Sequence, residues 1–228
     1  MERDESHHMS ASENPTVIDI DIVSDEMCPW CNVGFRQLEQ ALAITGMGAR
    51  IRWHPFELNP AMPPDGQNLA EHIAEKYGSS PEQSAQNRAQ LVTLGKSLGI
   101  DFVFSDDSRI VNSFAAHQLL DFALAQGLQH PLKLALFEAH FTDQRDVSDH
   151  TVLLDIAESV GLDRADADRV LQSGALTDTV REKQAFWTSR GISGVPSMVF
   201  AGKYLITGAQ GAENYAQILQ QVAKEDAA

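Results

Sequence analysis

The chain has 228 residues, a formal net charge of -15, 43% hydrophobic and 21% charged residues, and only 2 cysteines. That length allows one or two domains with a substantial core, and no stretch approaches the roughly 18 consecutive apolar residues of a membrane span. The negative charge repels nucleic-acid phosphates and anionic lipid, so neither nucleic acid nor membrane is an expected partner.

Met1 to Asn14 is polar and acidic and carries His7-His8. It lacks the basic and apolar regions of a secretory leader, which predicts a cytoplasmic protein. Residues 1–14 read as a disordered arm. From Thr16 to Val23, β-branched residues alternate with acidic ones, a strand pattern. Ser24-Asp25-Glu26-Met27 breaks it. Over Cys28 to Thr45 the period becomes helical, with Cys31, Phe35, Leu38 and Leu42 at steps of three or four and Gly46 as a stop. Ala49 to Phe56 is a second strand. The intervening helix predicts a βαβ unit whose two strands run parallel.

Leu58 to Gln67 holds Pro60, Pro63 and Pro64 and reads as a loop. Helical patterns follow at Leu69–Tyr77, Pro81–Leu98, Ser113–Gln126, Pro131–Thr142, His150–Val160, Asp163–Ser173 and Thr177–Arg190, with no strand signal until near Pro196. Ser148 or Asp149 and then Asp163 are expected helix caps. Ser197–Ala201 is a strand, Gly202-Lys203 suits a hairpin turn, Tyr204–Thr207 is the return strand, and a helix spans Ala212–Ala223.

The order is β-α-β, a helical block, then β-β-α. This α/β pattern is that of a thioredoxin fold with a large all-helical domain inserted between its halves. Residues 15–61 and 189–228 would build one discontinuous domain. Residues 62–188 would form the insert and pack over the end of the sheet that carries the cysteines.

The chemistry concentrates in Cys28-Pro29-Trp30-Cys31. Two cysteines alone are too few for a disulfide framework, and no second ligand pair completes a zinc site. In a reducing cytosol such a pair is more readily catalytic than structural. Spaced by three in a first helical turn, the sulfurs share a side and can close a redox-active disulfide. Cys28 sits where free N–H groups and the positive end of the dipole favour an anion, so it is the expected nucleophile. Cys31 lies a turn deeper and is the expected resolving thiol. Pro29 costs no hydrogen bond there. Trp30 is exposed by position and can cover the disulfide and touch a substrate.

Gly194-Val195-Pro196 immediately precedes a strand. Beside a two-cysteine centre, a cis Val195–Pro196 bond is expected, presenting the Val195 backbone to a bound peptide. His117 is a candidate either for steadying the Cys28 thiolate or contacting substrate, or for a structural hydrogen bond. His54 reads as structural. Phe114, Phe137 and Phe141 read as core, or as the lining of an apolar groove. Asp25 and Glu26 read as exposed loop carboxylates.

Ser24 to Cys31, Phe56-Glu57-Leu58-Asn59-Pro60, Asn112 to His117, Gly191 to Pro196 and Ile206 to Gln210 together give a resemblance. The chain resembles the DsbA-like thioredoxin superfamily, and within it the FrnE-like dithiol–disulfide oxidoreductases, from about Val17 to Val222. The resemblance implies an oxidoreductase or isomerase acting on protein or peptide disulfides, with Pro196 cis and with Asn112 and His117 near the catalytic face. It implies no tightly bound cofactor and no metal, with glutathione as an available reductant. Two departures stand out. Some FrnE-like proteins carry a second cysteine pair, absent here. Thioredoxin-like proteins often bury an acid six residues before the first cysteine, where this chain has Ile22, so the proton acceptor for Cys31 is open. Related kappa-class glutathione transferases and isomerases share the helical insert but typically have serine in place of the first cysteine. A glutathione-dependent isomerase, and a non-enzymatic chaperone or soft-metal binder, are the competing readings.

Overall fold

The computed structural model describes residues 16–226. The arm expected over residues 1–14 lies outside them. In chain order the elements are β1 (Val17–Ser24), α1 (Pro29–Thr45), β2 (Gly48–Pro55), β3 (Gln67–Asn68), α2 (Leu69–Tyr77), α3 (Pro81–Ser97), β4 (Arg109–Ile110), α4 (Phe114–Leu124), α5 (Gln129–Phe141), α6 (His150–Ser159), α7 (Arg164–Ser173), α8 (Thr177–Thr188), β5 (Ser197–Phe200), β6 (Tyr204–Thr207) and α9 (Ala212–Asp226).

Four strands form one mixed sheet in the order β2-β1-β5-β6. β1 and β2 are parallel, and α1 supplies the crossover that a parallel pair requires. β5 lies antiparallel to β1, with Ile22 opposite Met198 and Val23 opposite Ser197. The register therefore brings the end of β1 and the start of β5 to the same edge of the sheet. That is why the loop before Cys28 and the loop ending at Pro196 meet, although the helical block separates them in sequence.

Two sites correct the sequence reading. β3 and β4 are a two-residue antiparallel pair inside the block expected to hold no strand; two residues are too few to show a period. The hairpin loop has three residues, Ala201-Gly202-Lys203, instead of the expected two, because β5 ends at Phe200, which pairs with Tyr204. Ala201 and Gly202 have φ of 51° and 66°, and the Lys203 N–H donates to the Phe200 carbonyl at 3.0 Å. Helix starts follow local chemistry. Asp149 and Asp163 cap α6 and α7, and Ser80 and Gln83 exchange side-chain-to-backbone bonds at the start of α3.

Two apolar cores form. Ile18, Ile20 and Ile22 of β1 pack with Phe35 and Leu38 of α1, Phe200, and Tyr215 and Leu219 of α9. Leu119, Leu132, Leu136, Leu153, Ile156 and Leu171 build the second, within the helical block. Each such side chain contributes about 1.5–3 kcal/mol by leaving water.

α5 belongs to both cores. Leu132 and Leu136 face the helical core, while Phe137 and Phe141 face the sheet core. Lys133, one turn before Phe137, lies on the sheet side at 1% exposure. Gln129 at the start of α5 seals the free edge of β2. Its amide accepts from the Trp53 N–H and donates to the Trp53 carbonyl, both at 3.0 Å. Phe114 is only half-buried, beneath the Arg181 guanidinium at 3.9 Å, and is not a core residue. His54 lies 2.7 Å from Asp21 and packs its ring on Trp187.

Candidate active site

Cys28 is the N-cap of α1, with extended backbone (φ -98°, ψ 107°) and Pro29 in the first turn. The Cys31 N–H donates to the Cys28 carbonyl at 3.1 Å, closing that turn. Both thiols are free. The Val195–Pro196 peptide is cis, and the Cys28 Sγ lies 3.6 Å from the Val195 carbonyl. Gly34 permits this approach, because a Cβ there would stand 3.2 Å from the Pro196 ring.

Exposure barely separates the cysteines, at 4% for Cys28 and 0% for Cys31. Their surroundings do. Cys28 lines a cavity of about 600 Å³, together with Pro29, Trp30 and Val195, that extends under α2 and α3. Trp30 stands at its mouth, 47% exposed. Cys31 faces the protein interior. Burial and the adjacent Cys28 sulfur push its thiol well above the usual range, while the Asp25 backbone and the Lys133 charge pull partly back.

Asp25 and Glu26, expected in solvent, are both fully buried. Helices α4 and α5 cover their loop and supply partners that loop position alone does not reveal. Lys133 Nζ donates to Glu26 Oε1 at 2.5 Å. His117 Nε2 lies 3.3 Å from Glu26 Oε2 and 3.7 Å from Asp25 Oδ1. It is also 3.1 Å from the Phe56 carbonyl, and since a carbonyl only accepts, Nε2 carries a proton. Asp25 further accepts from the Leu58 N–H at 2.7 Å and the Met27 N–H at 3.2 Å. Burial alone would raise the Asp25 carboxyl, but His117, with the Leu58 N–H and the Ser113 hydroxyl, holds it below the usual range. Burial likewise opposes charge on His117, and the two carboxylates outweigh it and raise the imidazole. With His117 charged, two anions face two cations.

His117 thus sits behind the motif, not beside Cys28. Asn112 also stays away from the cavity. Its amide donates to the Met62 carbonyl and accepts from the Phe114 N–H, both at 2.9 Å, so it braces the entry to α4. The acidic and imidazole ligand atoms of Asp25, Glu26 and His117 lie within 4.8 Å of one another, a spacing a metal could use. The Lys133 ammonium already supplies a cation there. Sequence reasoning missed Lys133 and, in the cavity wall, His72, Arg88 and His140. The signal for Lys133 was its place in a series at steps of four with Phe137 and Phe141.

A buried dithiol at a helix start, beside a cis X-Pro loop on a four-stranded mixed sheet, defines a thioredoxin-type redox protein. Residues 19–220 match the DSBA-like thioredoxin domain, and the chain belongs to that family. YwbO of Bacillus subtilis is 26% identical over 91% of this chain and 98% of its own length. The structure of a probable DsbA oxidoreductase from Streptomyces coelicolor is 31% identical, covers 91% of each chain and superposes with a TM-score of 0.85. The cytosolic disulfide reductase DsbM of Pseudomonas aeruginosa, solved with GSH, shares the fold at 15% identity and a TM-score of 0.61, covering 90% of this chain and 99% of its own. These relationships support a thiol–disulfide oxidoreductase.

Proposed function

We propose that the protein exchanges thiols and disulfides on protein or peptide substrates, with Cys28 as nucleophile and Cys31 as resolving thiol. The observation that carries this is the unequal setting of the two sulfurs, one at a cavity and one sealed against buried charge. The Cys28 thiolate attacks a substrate disulfide, forms a mixed disulfide and releases one substrate thiolate. Cys31 gives up its proton and attacks the Cys28 sulfur. The second substrate thiolate leaves and the Cys28–Cys31 disulfide forms.

Ile22 is apolar and takes no proton. The Asp25–Glu26–His117–Lys133 cluster is the acceptor system in this reading. Within it, Lys133 steadies the Cys31 thiolate electrostatically. An extended peptide aligned along the Val195 backbone would lay its disulfide beside Cys28. Trp30 would cover it.

We assign the protein to the cytosol, with glutathione as the recycling reductant; the DsbM structure with GSH and the glutathione poise of about -220 to -320 mV support reduction or isomerisation over oxidation. Insulin reduction coupled to a dithiol tests the reading. Wild type should accelerate it and Cys28→Ser should not; equal rates would overturn the assignment.

A further inference from the structure

The cavity at Cys28 has room for more than the reacting sulfurs. Its volume of about 600 Å³ falls within the roughly 300–1,000 Å³ range of small-molecule sites. Leu58, Ile73, Leu91, Phe104, Ile110 and Phe141 make much of its wall apolar.

Among the polar groups of that wall, Arg88 and His72 have capacity left for a ligand. Arg88 has the Ser84 hydroxyl, at 2.7 Å, as its side-chain partner and makes no ion pair among the described residues. The other two arginines of the wall are engaged, Arg145 with Asp155 at 3.3 Å and Arg109 with the Asp65 carbonyl at 2.5 Å. The second group is His72. Its Nδ1 lies 2.8 Å from Gln67 Oε1, and the Gln67 amide is oriented by donating to the Glu75 carboxylate at 2.7 Å. Gln67 Oε1 therefore accepts, Nδ1 carries the hydrogen, and Nε2 is a bare acceptor. That Nε2 is buried and has no partner, and His72 lines the cavity.

We propose that this cavity binds a low-molecular-weight disulfide with an apolar, preferably aromatic, body, a carboxylate for Arg88 and an N–H or O–H donor for His72 Nε2. The assignment rests on the redox reading of Cys28 and names a second substrate class for the same centre. Cys28 attacks one sulfur, the substrate S–S bond breaks and one thiolate departs. Cys31 then displaces the other. The small disulfide is reduced to two thiols while the protein dithiol is oxidised, and an added dithiol restores it.

The test uses the reduced full-length protein with dithiothreitol as reductant. Three probes are compared: the disulfide of para-mercaptobenzoic acid, its neutral diamide, and cystamine. Each kcat/KM is divided by the uncatalysed rate with dithiothreitol, which removes leaving-group differences. The expected order is diacid, then diamide, then cystamine, with saturation by the diacid and about tenfold separating it from the diamide. Arg88→Met should collapse the diacid-to-diamide ratio toward one, whereas Ile73→Trp, which fills the cavity, should raise KM for both aromatic probes about tenfold. The redox-inert thioether of para-mercaptobenzoic acid should slow Cys28 alkylation in wild type and do so less in Ile73→Trp.

Insulin reduction is run alongside. Normal insulin reduction with no diacid preference, or a preference that survives Arg88→Met, overturns the cavity assignment alone. Failure to reduce any disulfide, insulin included, overturns the redox reading and the assignment with it.

Discussion

The two faces of the first turn of α1 are built for opposite tasks. In front, Cys28 lines a largely apolar cavity of about 600 Å³, together with the half-exposed Trp30. Behind, Cys31 meets a sealed layer in which Asp25, Glu26, His117 and Lys133 are each at 2% exposure or less. A step of three residues thus separates a sulfur at a cavity wall from one whose thiol burial pushes well above the usual range. The difference shows that the insert does more than cover the sheet, because α4 supplies His117 and α5 supplies Lys133 to the back of the motif.

The largest expected effect comes from the front. Cys28→Ser should reduce exchange to the uncatalysed rate in the insulin assay, while Cys31→Ser should still permit the first attack.

The next comes from the back. Lys133→Met removes the closer of the two cations on the buried Glu26 carboxylate, leaving only His117 at 3.3 Å, and should cost about 3 kcal/mol in urea unfolding. Lys133→Met combined with Glu26→Gln should recover most of that loss while still slowing the release step. Full stability in Lys133→Met alone would break the contrast, because His117 would then suffice as the counter-charge of Glu26.

A third effect is set by pH. His140, at the cavity wall, is pushed down to about 4 by burial, with nearby carboxylates opposing only weakly. Its folded value is below its unfolded value near 6.5, so the unfolded chain binds the proton more readily. Stability should fall as pH drops from about 6.5 to about 4, by about 3 kcal/mol at full effect. His140→Leu should flatten that limb in pH-dependent unfolding. His117 has the opposite sign: its raised value stabilises fully below 6.5, and the benefit is lost as pH rises through its folded value. Asp25 is depressed, so its contribution is lost only as pH falls below 3.8 toward its folded value.

The smallest stability effect belongs to Trp30→Ala. The Trp30 side chain lies in the first turn of α1 but makes no capping bond and stays 47% exposed, so its loss should change unfolding by no more than about 0.5 kcal/mol. The same change should raise KM for disulfide substrates, measured by steady-state turnover.

The sequence made the fold legible because α1 and β1 carry strong periods and the helices start at clear caps. Cys28, Trp30, Val195 and Pro196 were legible as a local motif and a loop. The back of the site was not. A carboxylate in a four-residue break reads as solvated, and a lysine on an amphipathic helix reads as its wet face. Only the tertiary placement of α5, with Phe137 and Phe141 turned to the sheet, shows that Lys133 turns inward with them. His117 was visible as a candidate, but its position behind Cys31 depends on where α4 crosses the Asp25-Glu26 loop.

Trapping the mixed disulfide tests the unequal roles most directly. Cys31→Ser and Cys28→Ser proteins are each incubated with a peptide disulfide, and the adduct is located by mass-spectrometric peptide mapping. Cys31→Ser should accumulate a stable adduct on Cys28, and Cys28→Ser should accumulate essentially none. A prominent adduct on Cys31 in the Cys28→Ser protein would contradict the account.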